Sequence, residues 1–324
     1  MPETRARLPA VVAHADWSVS PAKRWLAVAR RDGRGRYRAA APVLVGDPAT
    51  LLTRLVGAAR QDGPLLLGLD LPLGLPLAYA RRAGIEDFVA WFVGLGQGAW
   101  AEVFEVAARP EEIAPHRPFY PLRPGGAKRQ HLLDGLGLDG PAELHRLCDR
   151  ATADRPAAAP IFWTIGPQQV GKAALSAWRE LLVPARRAGT VRLWPFDGDL
   201  ARLLAAGGAV VAETYPGEIY GHLGVRFRRP DGRRASKRSQ ADRAAEAPVL
   251  RAAAKRLGVD LAPPLKRAIA EGFEEAAGGE DAFDATVGLL GMINVLRGER
   301  PAGEPADPVI RRVEGWILGQ AAAE

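Results

Sequence analysis

Two apolar runs, each carrying one acid near its far end, constrain this 324-residue chain more than any other feature. Val11–Ser18 (VVAHADWS), interrupted at Asp16, and Leu65–Leu71 (LLLGLDL), broken at Asp70, suit strands buried on both faces. Burying an unpaired carboxylate costs several kcal/mol. Asp16 and Asp70 therefore either end their strands in solvent or meet a hydrogen-bond partner, a cation or a metal. The runs alone do not choose. Between them, Arg24–Arg30 and Tyr37–Val45 read as two more strands of an antiparallel meander, with turns at Trp17–Pro21 and Gly33–Gly35. Pro48–Arg60 reads as an amphipathic helix with Leu51, Leu52, Leu55, Val56 and Ala59 on one face. A helical crossover into a buried strand predicts that Leu65–Leu71 runs parallel to Val11–Asp16. Asp16 and Asp70 would then share a sheet edge, where open α/β sheets place their ligands.

Beyond Asp70 the chain is less regular, with Pro72, Gly74 and Pro76 in quick succession. Helical pieces are expected at Pro76–Ala83, Ile85–Phe92 and Pro141–Ala151, with a Gly-rich turn at Gly94–Gly98 and a Pro/aromatic stretch at Pro115–Gly126. The Gly94-x-Gly96-x-Gly98 pattern lacks both the preceding strand and the spacing of a dinucleotide fingerprint. Residues 75–160 read as an insertion or lid within a single domain spanning 8–322, because sheet-like segments resume afterwards. These are Ile161–Ile165, Thr190–Trp194 and Ala209–Thr214. Helices are expected at Gln168–Arg187, Leu200–Ala206, Gln240–Leu257, Pro264–Ala277, Ala282–Leu296 and Pro308–Leu318, giving a mixed α/β sheet flanked by helices.

A single cysteine, Cys148, excludes internal disulfides and thiolate zinc sites and fits a reducing cytoplasm. The N-terminus does not read as a secretory signal, and no apolar run has the length of a membrane span, so no membrane and no obligate protein partner are expected. The net charge of +7 favours a polyanionic partner such as DNA or RNA. That signal is discounted here, because nearly all the cations are arginines in an Ala-, Gly- and Pro-rich chain, as GC-rich coding alone produces. No GxSxG elbow or HExxH pair is present.

Chemistry is most concentrated in the carboxylates. Asp281 and Asp284 stand i, i+3 on one face of a helix start. Acids in a first turn also serve the helix dipole, so the pair alone carries two readings. The apolar helix that follows must pack into the core, and its first turn could reach the edge bearing Asp16 and Asp70. Those four acids would make an oxygen-rich site of the kind Mg²⁺ or Mn²⁺ prefers. Two such ions can clamp the attacking and leaving oxygens of a phosphodiester.

HADWS, GLDLPLGLP, PFDG…VVAETYP, DAFDA and EGWILG, in this order from Val11 to Leu318, together resemble the predicted RNase H-like nucleases of domain-of-unknown-function family 429. The resemblance implies an RNase H-like, mixed five-stranded sheet in which acids on the first strand, the fourth strand and the last core helix bind divalent metal. Those positions are Asp16, Asp70, Asp281 and Asp284. It implies a metal-dependent nuclease, with Glu213 of ETYP as a further catalytic-site acid, behind the ligands or on the substrate side.

Other motifs offer alternatives. Gly166–Ala173 (GPQQVGKA) nearly matches a phosphate-binding loop, but Ala173 replaces the hydroxyl that should hold Mg²⁺, and the loop is poor in glycine. Lys172 is a candidate substrate contact, and a nucleotide-binding phosphotransferase is the remote alternative. Arg226–Arg238 carries Arg226, Arg228, Arg229, Arg233, Arg234, Lys237 and Arg238 against Asp231, either as a track for a phosphate backbone or as a solvated hairpin. A non-catalytic nucleic-acid-binding protein would use the same loop. Trp17, Trp163 and Trp194 read as core before base-stacking residues. His14, on the face of Asp16, reads as a core histidine before a proton carrier.

Overall fold

The computed structural model describes residues 8–57, 63–153, 155–166, 170–228, 235–274 and 278–321. Its strands are β1 (Val11–Asp16), β2 (Trp25–Arg31), β3 (Tyr37–Ala39), β4 (Val43–Leu44), β5 (Leu65–Leu69), β6 (Val191–Leu193), β7 (Ala209–Glu213) and β8 (Val259–Leu261). They form one sheet in the order β6-β7-β5-β1-β2-β3-β8, with β4 paired to β2. The meander is antiparallel, with Asp16 opposite Trp25. The expected parallel partnership holds: Val11 faces Leu65 and Ala15 faces Leu69, while β7 continues the parallel set beside β5.

The sheet has eight strands where the family resemblance implies five. The Tyr37–Val45 run divides into β3 and β4 around Pro42, which has no N–H to offer the ladder; the two halves pair with opposite ends of β2. β6 extends the parallel side beyond β7. β8, only VDL, is too short for its alternation to be read between two helices. Ile161–Ile165 is not a strand: the Trp163 N–H turns back to the Pro160 carbonyl, leaving a single bridge to Tyr120. Gln240–Leu257 divides into Gln240–Ala245 and Ala247–Arg256, Pro141–Ala151 into two short 3-10 turns, and Pro308–Leu318 stops at Val313. Arg129–Leu136 forms a further helix. The helix expected over Pro264–Ala277 spans Pro263–Ala270, where Gly272 at positive φ follows its end; the ends expected at Arg60 and Gln168 lie outside the described residues.

The helices that matter for the site are α1 (Pro48–Gly57), α2 (Pro216–Leu223), α3 (Gln240–Ala245) and α4 (Gly279–Leu296). Strand alternation sends β1 into two cores. Val11, Ala13 and Ala15 join Leu51 and Leu55 of α1 and an aromatic group that includes Phe88, Phe119, Phe162 and Trp178. Val12 faces the opposite core with α4, and His14 and Asp16 share its side. α4 is buried along almost its whole length and approaches β1 and β5 closely because glycines remove side chains at the contact. A Cβ on Gly288 would lie 2.2 Å from His14 Nε2, and one on Gly68 would lie 2.5 Å from Met292 Sδ.

Gly288→Ala separates packing from propensity. Alanine improves helix propensity by about 1 kcal/mol, whereas overpacking a close contact costs about 1–3 kcal/mol. Since the blocking group is a ring that is itself fully buried, packing should win. Chemical denaturation should show a lower midpoint for this variant.

Candidate functional site

β1 and β5 end side by side, and the Asp70 N–H donates to the Ala15 carbonyl at 3.2 Å, so the chain leaves β5 alongside Asp16. Across this edge lies the start of α4, with Asp281 in its first turn and Asp284 in its second. Asp284 is buried, whereas Asp16, Asp70 and Asp281 are half-buried, so the cluster opens to solvent. All four predicted acids therefore converge.

Electrostatics register the crowding. Burial and then the Asp284, Asp70 and Asp281 carboxylates push Asp16 well above the usual carboxylate range. Burial and Asp284 raise Asp70 to about 7, against the pull of Lys237 and a hydrogen bond with Asp16. Asp281 is pushed up to about 6 by burial, Asp284 and Glu280. Desolvation also raises Asp284, opposed by two donors. The Tyr220 hydroxyl donates to its Oδ1, and Lys237 Nζ donates to its Oδ2 at 2.6 Å. The same ammonium lies 3.1 Å from Glu280 Oε1.

Tyr220 and Glu280 did not emerge from the sequence as site residues. Glu280 was within reach of the reading, standing directly before Asp281 in the helix start. Tyr220 was not, because it lies on α2, 64 residues from Asp284, and no motif marks it. Its ring packs against Phe227 and Phe283, which fixes the hydroxyl over the cluster.

Glu213 ends β7 level with Leu69 but does not join the cluster. Arg146, fully buried, grips both its oxygens at 2.7 and 2.6 Å, and the Leu73 N–H adds a third bond at 2.6 Å. The same guanidinium pairs with Asp149 at 2.8 Å. Glu213 is thereby neutralised and occupied, and reaches Asp70 only through its field. Lys172 also lies apart, donating weakly to the Leu122 carbonyl at 3.4 Å; Pro167–Gln169 of its loop lie outside the described residues. Of the basic segment, Arg226, Arg228 and Arg238 are exposed, and Lys237 turns to the acids. Arg229, Arg233 and Arg234 lie outside the described residues.

His14 is a core residue. Nε2 bonds Thr214 Oγ1 at 2.8 Å, and burial lowers its pKa to about 3, so the ring stays neutral. Trp17 and Trp194 are buried, with their N–H groups on Ser176 and Glu304. A separate cavity of about 570 Å³ lies against β8, lined by Arg36, Arg251, Lys255, Lys266 and Arg267 together with Asp260 and Glu271; none of the candidate site residues lines it.

The donor set suits a hard divalent cation: crowded carboxylate oxygens, desolvated and mutually repelling. Among the described residues, no three His, Cys, Asp or Glu side chains are arranged to hold such an ion. Lys237 is hydrogen-bonded to the cluster through Asp284, while Arg238 lies 4.0 Å from Glu280 and Lys23 acts on Asp281 through its field. No described helix is long and apolar enough to cross a membrane.

The crowding has a consequence for stability. Asp70 titrates near 7 in the folded chain and near about 4 when unfolded. Between those values the folded state holds the extra proton, so metal-free stability falls as pH rises through that window. Asp70→Asn should raise the melting temperature more near about pH 8 than near about pH 5, where only the first part of the window has been crossed, by about 2–4 °C per kcal/mol relieved. Differential scanning calorimetry at the two pH values checks this; equal shifts at both would contradict it.

Comparison of the chain with models of known families, with curated proteins and with solved structures finds no match.

Proposed function

We propose that this chain is a divalent-metal-dependent phosphodiesterase of RNase H-like fold, acting on DNA or RNA and akin to the nucleases of domain-of-unknown-function family 429. One observation carries the reading: Asp16, Asp70, Asp281 and Asp284, drawn from two strands and a distant helix, meet at one solvent-accessible edge. A purely structural cluster would be expected to neutralise its acids, as Arg146 does for Glu213. Strand order supports the fold assignment, since an antiparallel meander is followed by parallel strands on the far side of β1.

Asp16 and Asp70, with Asp281 and Asp284 at the helix start, would hold Mg²⁺ or Mn²⁺. A bound ion would supply Lewis-acid activation of a phosphate and of an attacking water. Tyr220 holds Asp284 in one orientation through its hydroxyl. Arg226, Arg228 and Arg238 offer exposed cations to a phosphate backbone. Glu213 serves the scaffold, keeping Leu73 and Arg146 in place at the end of β7.

Purified protein given Mn²⁺ or Mg²⁺ should cleave DNA or RNA, and Asp16→Asn should lower turnover by at least about 100-fold. Cleavage that survives this substitution would exclude the mechanism. The alternative, nucleic-acid binding without catalysis, draws on the Lys237–Asp284 pair, which already gives the cluster an internal cation. It predicts salt-sensitive binding that weakens when Arg226, Arg228 and Arg238 are changed together to alanine, with no metal-dependent turnover.

A further inference from the structure

Asp284 is already committed within the protein. Tyr220 engages one of its oxygens and Lys237 the other. Asp16 and Asp70 differ: they lie side by side at the ends of β1 and β5, close enough to act on each other, and take no part in the bonds of Asp284 to Tyr220 and Lys237. The cluster thus divides into an occupied half, Asp284 with Glu280, and a half free to accept a cation.

Lys237 is held in place as well as drawn by charge. Its carbonyl accepts from Arg243 Nη1 at 2.6 Å, and Arg243 is a buried guanidinium that also binds the carbonyls of Gly272 and Phe273. On one side, the Ser236 N–H donates to Asp242 Oδ2 at 2.9 Å. On the other, Ser239 caps α3 by accepting from the Asp242 N–H. The stem of Lys237 therefore starts from a fixed backbone, and little further freedom is lost in holding the ammonium between Asp284 and Glu280. A divalent ion on the same Asp284 oxygen would sit beside a fixed positive charge, and like-charge repulsion at that range opposes it.

We propose that Lys237 stands in for a second metal: the site takes one divalent ion, on Asp16 and Asp70, and the ammonium supplies the other cationic charge. This rests on the metal-dependent reading above. The consequence is a stoichiometry. Two-ion sites divide charge stabilisation between a pair of metals, whereas here half of that role would belong to a side chain whose position is set by Arg243.

Equilibrium titration of the full-length protein with Mn²⁺ alone, followed by calorimetry and by electron paramagnetic resonance of the free ion, counts the sites. Wild type should bind one Mn²⁺ per chain, Lys237→Met two, and Lys237→Arg one. Asp16→Asn should bind none. Two ions on wild type, or an unchanged count of one in a folded Lys237→Met, would overturn the role of Lys237 while leaving the metal reading intact. No binding to wild type would overturn both. Where Lys237→Met does not fold, Lys237→Gln provides the same charge removal, and the wild-type count tests the proposal without any variant.

Discussion

The contact on which the candidate site depends is made by a residue with no side chain. Gly288 lets α4 lie directly on His14, two residues before Asp16 on the same face of β1. One turn earlier on the helix stands Asp284. Two residues of strand span about 6.6 Å and four residues of helix about 6 Å, so the two steps nearly match. Moving from the glycine–histidine contact toward the helix N-terminus and toward the strand C-terminus thus covers the same distance. Asp284 arrives at Asp16 because Gly288 is seated on His14. The histidine is buried to make this surface, and its hydrogen bond to Thr214 ties the contact to the end of β7.

Three parallel strands carry acids at nearly the same level, yet the protein treats them in two ways. Glu213 is paired: a buried guanidinium, bidentate and itself bound to Asp149, occupies both its oxygens. That arrangement is rigid, and taking away either partner would strand a buried charge. Asp16 and Asp70 have no such partner among the described residues and pay for proximity by moving their titration toward neutral pH. Acids that destabilise the fold at the pH where they ionise support the metal-binding reading proposed above.

Much of this was readable from the chain. A continuous apolar run interrupted by an acid identified β1 and β5, and the helical crossover between them predicted their parallel pairing and hence the meeting of Asp16 with Asp70. The acidic start of an all-apolar helix placed Asp281 and Asp284 in contention. The same logic could not separate Glu213 from the others, because AVVAE has the form of the other two runs. What distinguishes it is Arg146, 67 residues away in a segment without regular periodicity. Tyr220 was hidden for a similar reason. β8 and the division of Tyr37–Val45 were missed because strands of two or three residues carry too few alternations to register.

The region from Leu75 to Pro160 therefore bears on the site through what it removes. Arg146 comes from this region, together with Asp149, and takes Glu213 out of the acid row. Glu314 receives the N–H groups of Leu77 and Leu147, fastening both ends of the region to the chain beyond α4. With the β7 acid paired on that side, Asp16, Asp70, Asp281 and Asp284 lie between the ends of β1 and β5 and the start of α4, beside Lys237. On the proposed phosphodiesterase reading, a phosphate reaching Asp16 and Asp70 would meet the ammonium of Lys237 in the same space. The buried arginines Arg146 and Arg243 set the two limits of that space, one by neutralising an acid and the other by fixing a cation.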